Sequence, residues 1–555
     1  MEQPQEKEGH PFNDSGTSAK VSSIMDEKDG SGGDNGLIAT GVEDDVPSTD
    51  TSEYPHGFKL AMIVVALVLS MFLISIDLTI VSTAIPRITD EFKSLLDVAW
   101  YGSAFFITIG SFQSTWGKAY KYFPLKITFL LSIFIFELGS LVCAVAPNSR
   151  ALIIGRALAG LGAAGVSGGT YTIIAFTAEP SKRPAYTGLL GATYGIASVV
   201  GPLVGGVLTD RVTWRWCFYI NLPIGGASAL IIFLFFQTPP AAKPAEASLK
   251  EKILQMDPIG TTLLLGGIIS YILALQYGGA THAWNSSVVV GLLVGFAVIM
   301  IIFAVFEVWQ GERSMLVPRI LKNHVVGVGS IFQFFFAGSY YAVLYYLPIY
   351  FQSIHNVSPT QSGVRNLPLI LSLSLFTLLS GGFITSTGIA TPLQVAGALI
   401  ATAGCGTLYT LSIGTTTGQW IGYQLLAGIG WGIGFQVPII MAQSNVQPAD
   451  IASVTATILF FQTLGGAFLV AAAQAAFVNR ILTVLPRTAP GVDPSQVISI
   501  GATQIRSKFP AAQIPGIIAA YMDGITVALT IALATVAFSA FLSVFSPWKR
   551  LKSSQ

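Results

Sequence analysis

The stretch "TGLLGATYGIASVVGPLVGGVLTD", residues 187–210, decides how the rest of the chain is read. Gly188, Gly191, Gly195, Ser198, Pro202 and Gly205 recur every three or four residues, which puts them on one face of a helix. Small side chains there let a second helix approach closely, and Pro202 removes a backbone hydrogen bond and bends the segment. No charge interrupts the run before Asp210. At about 1.5 Å per residue, a helix of this length crosses hydrocarbon about 30 Å thick. An ordinary tight contact in a membrane bundle accounts for some of these glycines. It accounts less well for so dense a row ending in Gly201-Pro202-Leu203-Val204-Gly205-Gly206.

The whole composition agrees with lipid as solvent. Of 555 residues, 52% are hydrophobic and only 10% charged, with a mean hydropathy of +0.65. Soluble domains carry about 25% charged residues. The net charge of +1 gives no argument for a nucleic-acid partner. Cys143, Cys217 and Cys405 lie in or beside apolar runs and read as buried thiols. His10 and His56 fall in the amino-terminal tail, and His282, His324 and His355 in connections or span ends. No histidine pair shares a helical face in the membrane, and Gly117-Lys118 lacks the frame of a phosphate-binding loop. No cofactor and no metal are expected. A membrane-embedded enzyme would need a nucleophile, metal cluster or acid–base pair, and none stands out.

From Lys59 onward, apolar runs of about 20 residues recur, each long enough to cross as a helix. Fourteen spans are expected, at 59–82, 98–117, 125–146, 150–176, 185–209, 216–236, 257–277, 287–309, 325–351, 361–384, 391–413, 418–443, 451–479 and 519–545. Lysine and arginine in short loops set orientation. Lys118, Lys121, Lys126, Lys182, Arg183, Lys243, Lys250, Lys252, Arg313, Arg319, Lys322, Lys549, Arg550 and Lys552 all fall on one side. Arg87, Lys93, Arg150, Arg211 and Arg215 fall on the other, a moderate bias that makes both termini cytoplasmic. Residues 1–57, with acidic clusters such as "GVEDDVPSTD", have little to bury and read as a disordered tail. They lack the pattern of a signal peptide, so the first span is expected to act as an uncleaved anchor. Outward loops carry glycosylation candidates at Asn285 and Asn356, and the connection 480–518 is expected to hold a short surface helix.

The expected organisation is a six-helix half over 58–236, a linker with two extra spans over 237–324, a second six-helix half over 325–546 and a basic tail over 547–555. Weak two-fold repetition of this kind marks secondary transporters. The loop "WGKAYKYFPLK" (116–126) and the degenerate "GGFITSTGIA" (381–390) hold matching places.

Several motifs in order resemble the major facilitator superfamily, in its fourteen-span drug:proton antiporter branch. "GIASVVGPLVGG" (195–206) resembles the antiporter signature, "DLTIVSTAIP" (77–86) the first-span motif, and "LIIGRALAGLGAAG" (152–165) the fourth-span motif, with Arg156 at the family arginine. "WRWCFYINLPIGG" (214–226) and "GIGWGIGFQVPIIMAQ" (428–443) extend the likeness over nearly all of 59–545. The resemblance implies an all-α integral membrane protein of the major-facilitator fold, with two six-helix halves and two extra helices. It also implies proton-coupled export of small amphipathic molecules such as toxins, drugs or secondary metabolites. The span 2–3 loop departs from the family pattern G-x-L-x-D-x-x-G-R-[RK]. Gly117 is kept, but Lys121 stands at the acid, Pro124 at the second glycine and Leu125 after it. The family's charged latch between halves is therefore not expected to carry over. In this loop the chain is similar to fungal toxin and metabolite exporters.

Charges inside the apolar runs are few. Asp77 follows a stretch with no charge since Lys59, and Glu137 sits in "FIFELGS". A carboxylate at the bilayer centre costs at least about 2.5 kcal/mol, so such residues are functional candidates by default. Asp77, Glu137 and Arg156 are the expected coupling and gating residues. A static role for Asp77, tying span 1 to its neighbours, is the competing reading. Gln333, Tyr341 and Tyr345 in the ring-rich ninth span, with Gln436, Gln443 and Gln462, are candidates for the substrate cavity. Most rings of that span read as lipid-facing bulk, with an interfacial belt over Tyr346–Phe351. Gly428/Gly432 and Gly430/Gly434 read as packing pairs. The expected partners are a small amphipathic substrate, protons and membrane lipid, with no nucleic acid and no obligate protein partner. The expected location is the plasma membrane, with a vacuolar or vesicle membrane as the alternative. An uptake or vacuolar permease of the same fold, for iron chelates or basic amino acids, is the nearest rival reading.

Overall fold

A computed structural model describes residues 54–92, 98–499, 505–548 and 550–551. The acidic stretch before residue 54, with Lys93, Lys549 and Lys552, lies outside the described residues. Fourteen helices of 15 to 38 residues run through the described chain. They are α1 (Gly57–Phe92), α2 (Val98–Tyr122), α3 (Leu125–Ala144), α4 (Ser149–Thr177), α5 (Arg183–Arg211), α6 (Asn221–Phe235), α7 (Pro258–Tyr277), α8 (Ser287–Gln310), α9 (His324–Ser353), α10 (Leu367–Thr387), α11 (Thr391–Tyr409), α12 (Thr417–Gly434), α13 (Ile451–Thr488) and α14 (Ile514–Ser543).

Local chemistry starts these helices where it should. The Asn148 side chain accepts from Ala151 N at 3.0 Å and caps α4, and Ser286 accepts from Val289 N to cap α8. Thr416 and Gln419 form a reciprocal capping box at α12. Asp257 enters α7 with φ 47° and accepts from Gly260 N at 2.9 Å. That left-handed conformation is uncommon outside glycine but favoured by Asp and Asn, whose short side chains bond locally.

Among the described residues, twelve stretches are long and apolar enough to cross a membrane by length and composition. The expected spans 98–117 and 391–413 are helical but fall short of that standard. α2 carries Trp100, Tyr101, Gln113, Trp116 and Lys118, and α11 is only 19 residues with Gln394, Thr402 and Thr407. Protein rather than lipid surrounds much of α2, which packs on α4 and α13. A helix sheltered in this way need not be apolar all round.

Helices α1 to α6 pack on one another, chiefly through α1 with α5 and α4 with α2 and α3. Helices α9 to α14 do the same, through α9 with α13 and α14 and α12 with α10 and α11. The two groups meet where α5 lies on α10 and α2 lies on α13. The pair α7 and α8 rides on α2 and α13, with Tyr271 stacked 4.2 Å from Phe468.

Two expectations need correction. The rings of α9 are mostly core: Phe332, Phe336, Tyr340, Tyr346, Tyr350 and Phe351 are fully buried. α13, α14 and α12 surround that helix, so no interfacial belt forms over 346–351. α13 also continues past 479 through Pro486 to Thr488, and the rest of the connection holds the short helices Pro494–Ser499 and Ile505–Lys508. The three cysteines are buried thiols.

Candidate functional site

Asp77 and Arg156 form an ion pair at 2.5 Å, and both side chains are sealed from solvent, at 0% and 2% exposure. Each half of the pair has further support. Asn221 Nδ2 donates to Asp77 Oδ1 at 2.9 Å and lies 3.1 Å from Ser140 Oγ. Arg156 Nε donates to Tyr101 O at 2.9 Å, and its guanidinium lies 4.5 Å from the Phe105 ring centre. Four helices, α1, α2, α4 and α6, therefore converge on one charge pair. Glu137 on α3 is close by, against Gly225 of α6. Both of its carboxyl oxygens are buried without a hydrogen-bond partner.

The glycine row of α5 serves two neighbours. A side-chain carbon on Gly188 or Gly191 would press on Thr377 of α10, and one on Gly195 would overlap Ser374 Oγ. Gly201 instead faces α1, where an added carbon would overlap Thr79 Oγ1, two residues from Asp77. Gly205 O lies 3.8 Å from Cys217 Sγ, and Pro202 sits inside the helix. Gly201→Val is expected to lose about 1–3 kcal/mol by overpacking, read as a lower unfolding midpoint in detergent. Gly206→Ala is the control, because the nearest atom to its added carbon is 4.0 Å away.

Where the two groups face each other, polar side chains cross between them. Tyr194 of α5 donates to Tyr341 of α9 at 3.2 Å. Gln436 Nε2 donates to the Tyr171 hydroxyl of α4 at 3.1 Å. Gln333 Nε2 donates to Gln462 Oε1 at 2.9 Å and to Phe435 O at 3.2 Å. Gln333, Tyr341, Gln436 and Gln462 are thus assembled as one cluster. Gln443 is not part of it, because it donates to Thr455 at 2.8 Å and lines a cavity at the end of the bundle. Tyr345 is half-exposed, one turn beyond Tyr341 on the same face.

At the span 2–3 loop a charged contact that does not use the family acid joins the two groups. Lys121 Nζ donates to Asp450 Oδ1 at 3.0 Å, just before α13. Arg319 donates to both oxygens of the same carboxylate, at 3.0 and 3.1 Å. The lysine at this position is matched by an acid at the start of α13, so an ion pair links the two groups there. Gly117 packs on Ala456, where a Cβ would collide. Lys118 turns the other way, toward Gln255 Oε1 at 3.3 Å and the Glu312 carbonyl. Asn285 and Asn356 are exposed. Ser358, the hydroxyl residue of the second sequon, caps the helix Pro359–Arg365.

Residues 67–470 match the Major Facilitator Superfamily. The chain belongs to this superfamily. Among its relatives, the MFS-type transporter grgE of Penicillium sp is 55% identical over 510 residues, covering 92% of this chain and 90% of its own. The probable efflux pump gsfJ of Penicillium aethiopicum is 50% identical over 504 residues, covering 91% of this chain and 90% of its own. Among solved structures, the proton:xylose symporter XylE aligns over 89% of this chain and 97% of its own, with a TM-score of 0.59. At 15% identity that likeness shows the fold alone.

Some residues of this superfamily member's site escape sequence reasoning. Tyr194 hides in the glycine row, and Asn221 in "FYINLP" looks like one polar residue at a helix start. Tyr171 and Tyr101 read as generic membrane aromatics, and Asp450 as a loop acid. A search for polar residues inside the matching motifs would have found Asn221, and one residue further would have found Tyr194, just before the motif at 195–206. Nothing local points to Asp450, because its meaning comes from Lys121, on a different helix.

Proposed function

We propose that this chain exports small amphipathic molecules in exchange for protons, by alternating the access of a cavity between the two helix groups. The observation that carries the reading is the buried Asp77–Arg156 pair. By helix rise, Asp77 lies about 30 Å along α1 from Gly57, toward the end opposite the Lys121 latch. Arriving there, a proton neutralises the carboxylate and releases Arg156, removing one of the contacts that hold α1, α2, α4 and α6 together. Ionisable residues inside a membrane pair with one another and mark ion pathways and proton relays. Glu137, with no partner for either oxygen, is the adjacent acid.

The glutamine and tyrosine cluster supplies hydroxyls and amides for an amphipathic substrate, with the rings of α9 as apolar wall. The groups are joined at the basic end by the Lys121–Asp450 pair, and Tyr345, one turn beyond Tyr341, is exposed. The named efflux pump among the relatives supports the outward direction. We read α2 and α11 as spans as well, for fourteen crossings, because each is a full helix held within the bundle. Both termini then lie on the cytoplasmic side with the basic loops, and the plasma membrane is the proposed location.

The test uses inside-out vesicles with an acidic lumen and a fluorescent hydrophobic dye. The dye is expected to accumulate in the lumen and to leave when a protonophore collapses the gradient. No gradient-dependent movement, or accumulation of external dye by intact expressing cells, would overturn the export reading.

A further inference from the structure

We propose that the basic end carries a second binding site, selective for amphipathic organic anions and separate from the central polar cluster. A cavity of about 550 Å³ opens there, within the range that takes a drug-sized ligand. One wall comes from Phe176, Arg183 and Pro239, and the other from Ile384, Ser444 and Arg550. Two guanidiniums, several hydroxyls and the Gln443 amide line it, and among the described residues none of the lining side chains is acidic.

The two arginines are placed by separate devices. Arg183 Nε donates to Ala178 O at 3.1 Å. Arg550 follows α14 in chain order, near the ends of α10 and α11, where Leu551 N donates to Gly388 O at 2.9 Å and Thr391 Oγ1 donates to Pro547 O. The nearby acids are engaged elsewhere. Glu179 pairs with Lys182 at 3.1 Å, and Asp450 with Lys121 and Arg319. The local field is positive, and a low-dielectric cleft concentrates such a field. Phe176, Pro239 and Ile384 give an apolar surface beside the charge. The matching ligand has an aromatic or aliphatic body and one carboxylate, sulfonate or ionised phenol.

The walls belong to different helix groups, so an occupant bridges them and favours the arrangement that keeps this end as it is. On the export reading, which this inference deepens, the cavity is where an acidic substrate first docks from the cytoplasm.

The experiment compares two probes with the same aromatic body, 8-anilinonaphthalene-1-sulfonate and the neutral N-phenyl-1-naphthylamine. Both are titrated onto the full chain in phosphatidylcholine nanodiscs. Arg550→Gln is expected to weaken the sulfonate about tenfold, the size of one charge-assisted hydrogen bond, and to leave the neutral probe unchanged. Ser386→Glu, an exposed position on the cavity rim, is expected to do the same by repulsion. Arg550→Lys retains most of the affinity. Equal sulfonate binding in wild type and both variants, or a parallel loss of both probes, overturns the site. Phosphatidylinositol 4-phosphate in the disc separates sources: displacement of the sulfonate identifies a lipid headgroup as occupant, and its persistence identifies a free anion. Arginine-dependent binding without gradient-driven dye movement would keep the site and remove the export reading.

Discussion

Arg156→Ala is expected to lower stability by about 3–5 kcal/mol, the usual loss when one partner of a buried pair is removed. Asp77 would keep only the Asn221 amide as a partner, with its charge sealed from water. The substitution also strips the guanidinium from the Phe105 ring and from Tyr101 O. Thermal unfolding in detergent reads the loss, and an unchanged midpoint would mean that the pair holds nothing together. Asp77→Asn separates stability from coupling. Its amide oxygen takes the place of Oδ2 and accepts from Arg156, its amide nitrogen donates to Asn221 Oδ1 once that side chain turns over, and Arg156 keeps Tyr101 O and Phe105, so the midpoint should fall less. An amide at this position cannot serve as the proton carrier of the proposed exchange. Gradient-driven dye uptake is therefore expected to vanish, while downhill exchange of bound dye continues. Retained driven uptake would return Asp77 to a static role and move the coupling step to Glu137.

Asp450→Asn is expected to open the basic end. One carboxylate, 10% exposed, accepts from both Lys121 and Arg319. Without its charge, Lys121 at the end of α2 and Arg319 in the short helix Pro318–Lys322 are left as two neighbouring cations with no shared acid. Arg319 is more than half exposed and keeps Glu312 at 2.8 Å, so solvent softens the loss. A shift of about 1–3 kcal/mol between conformations remains, equivalent to a change of about 5- to 150-fold in their ratio. A cysteine at Ser453, where α13 lies on Gly117, reports the change through its rate of maleimide labelling. Lys121→Gln should raise that rate less, because Arg319 still holds Asp450. Identical rates in wild type and Asp450→Asn would show that packing, not charge, closes this end.

The residues that sequence reasoning found and those it missed differ in kind. Asp77, Glu137 and Arg156 announce themselves as charges in apolar runs, where each must earn its place against desolvation. Gln333, Gln436 and Gln462 stand out for a similar reason, as amides without a loop around them. Tyr194 and Asn221 have no such contrast, because a single tyrosine or asparagine is tolerated in many helices. The rings of α9 misled because they cover every face. Only the neighbours of that helix decide which face meets lipid, and here nearly all of them meet protein.

By itself, the sequence determined that this chain lives in lipid, that it is helical throughout its apolar runs, and which superfamily it joins. These follow from local properties: hydropathy over about 20 residues, the three-to-four spacing of small side chains, and motifs read within one helix. The tertiary structure alone decided which polar groups meet. Asp77 finds Arg156 and Asn221, Lys121 finds Asp450, and Tyr194 finds Tyr341 across long separations in the chain. Pairing at that range depends on how helices are rotated and stacked against one another, a property that no single helix carries in its own sequence.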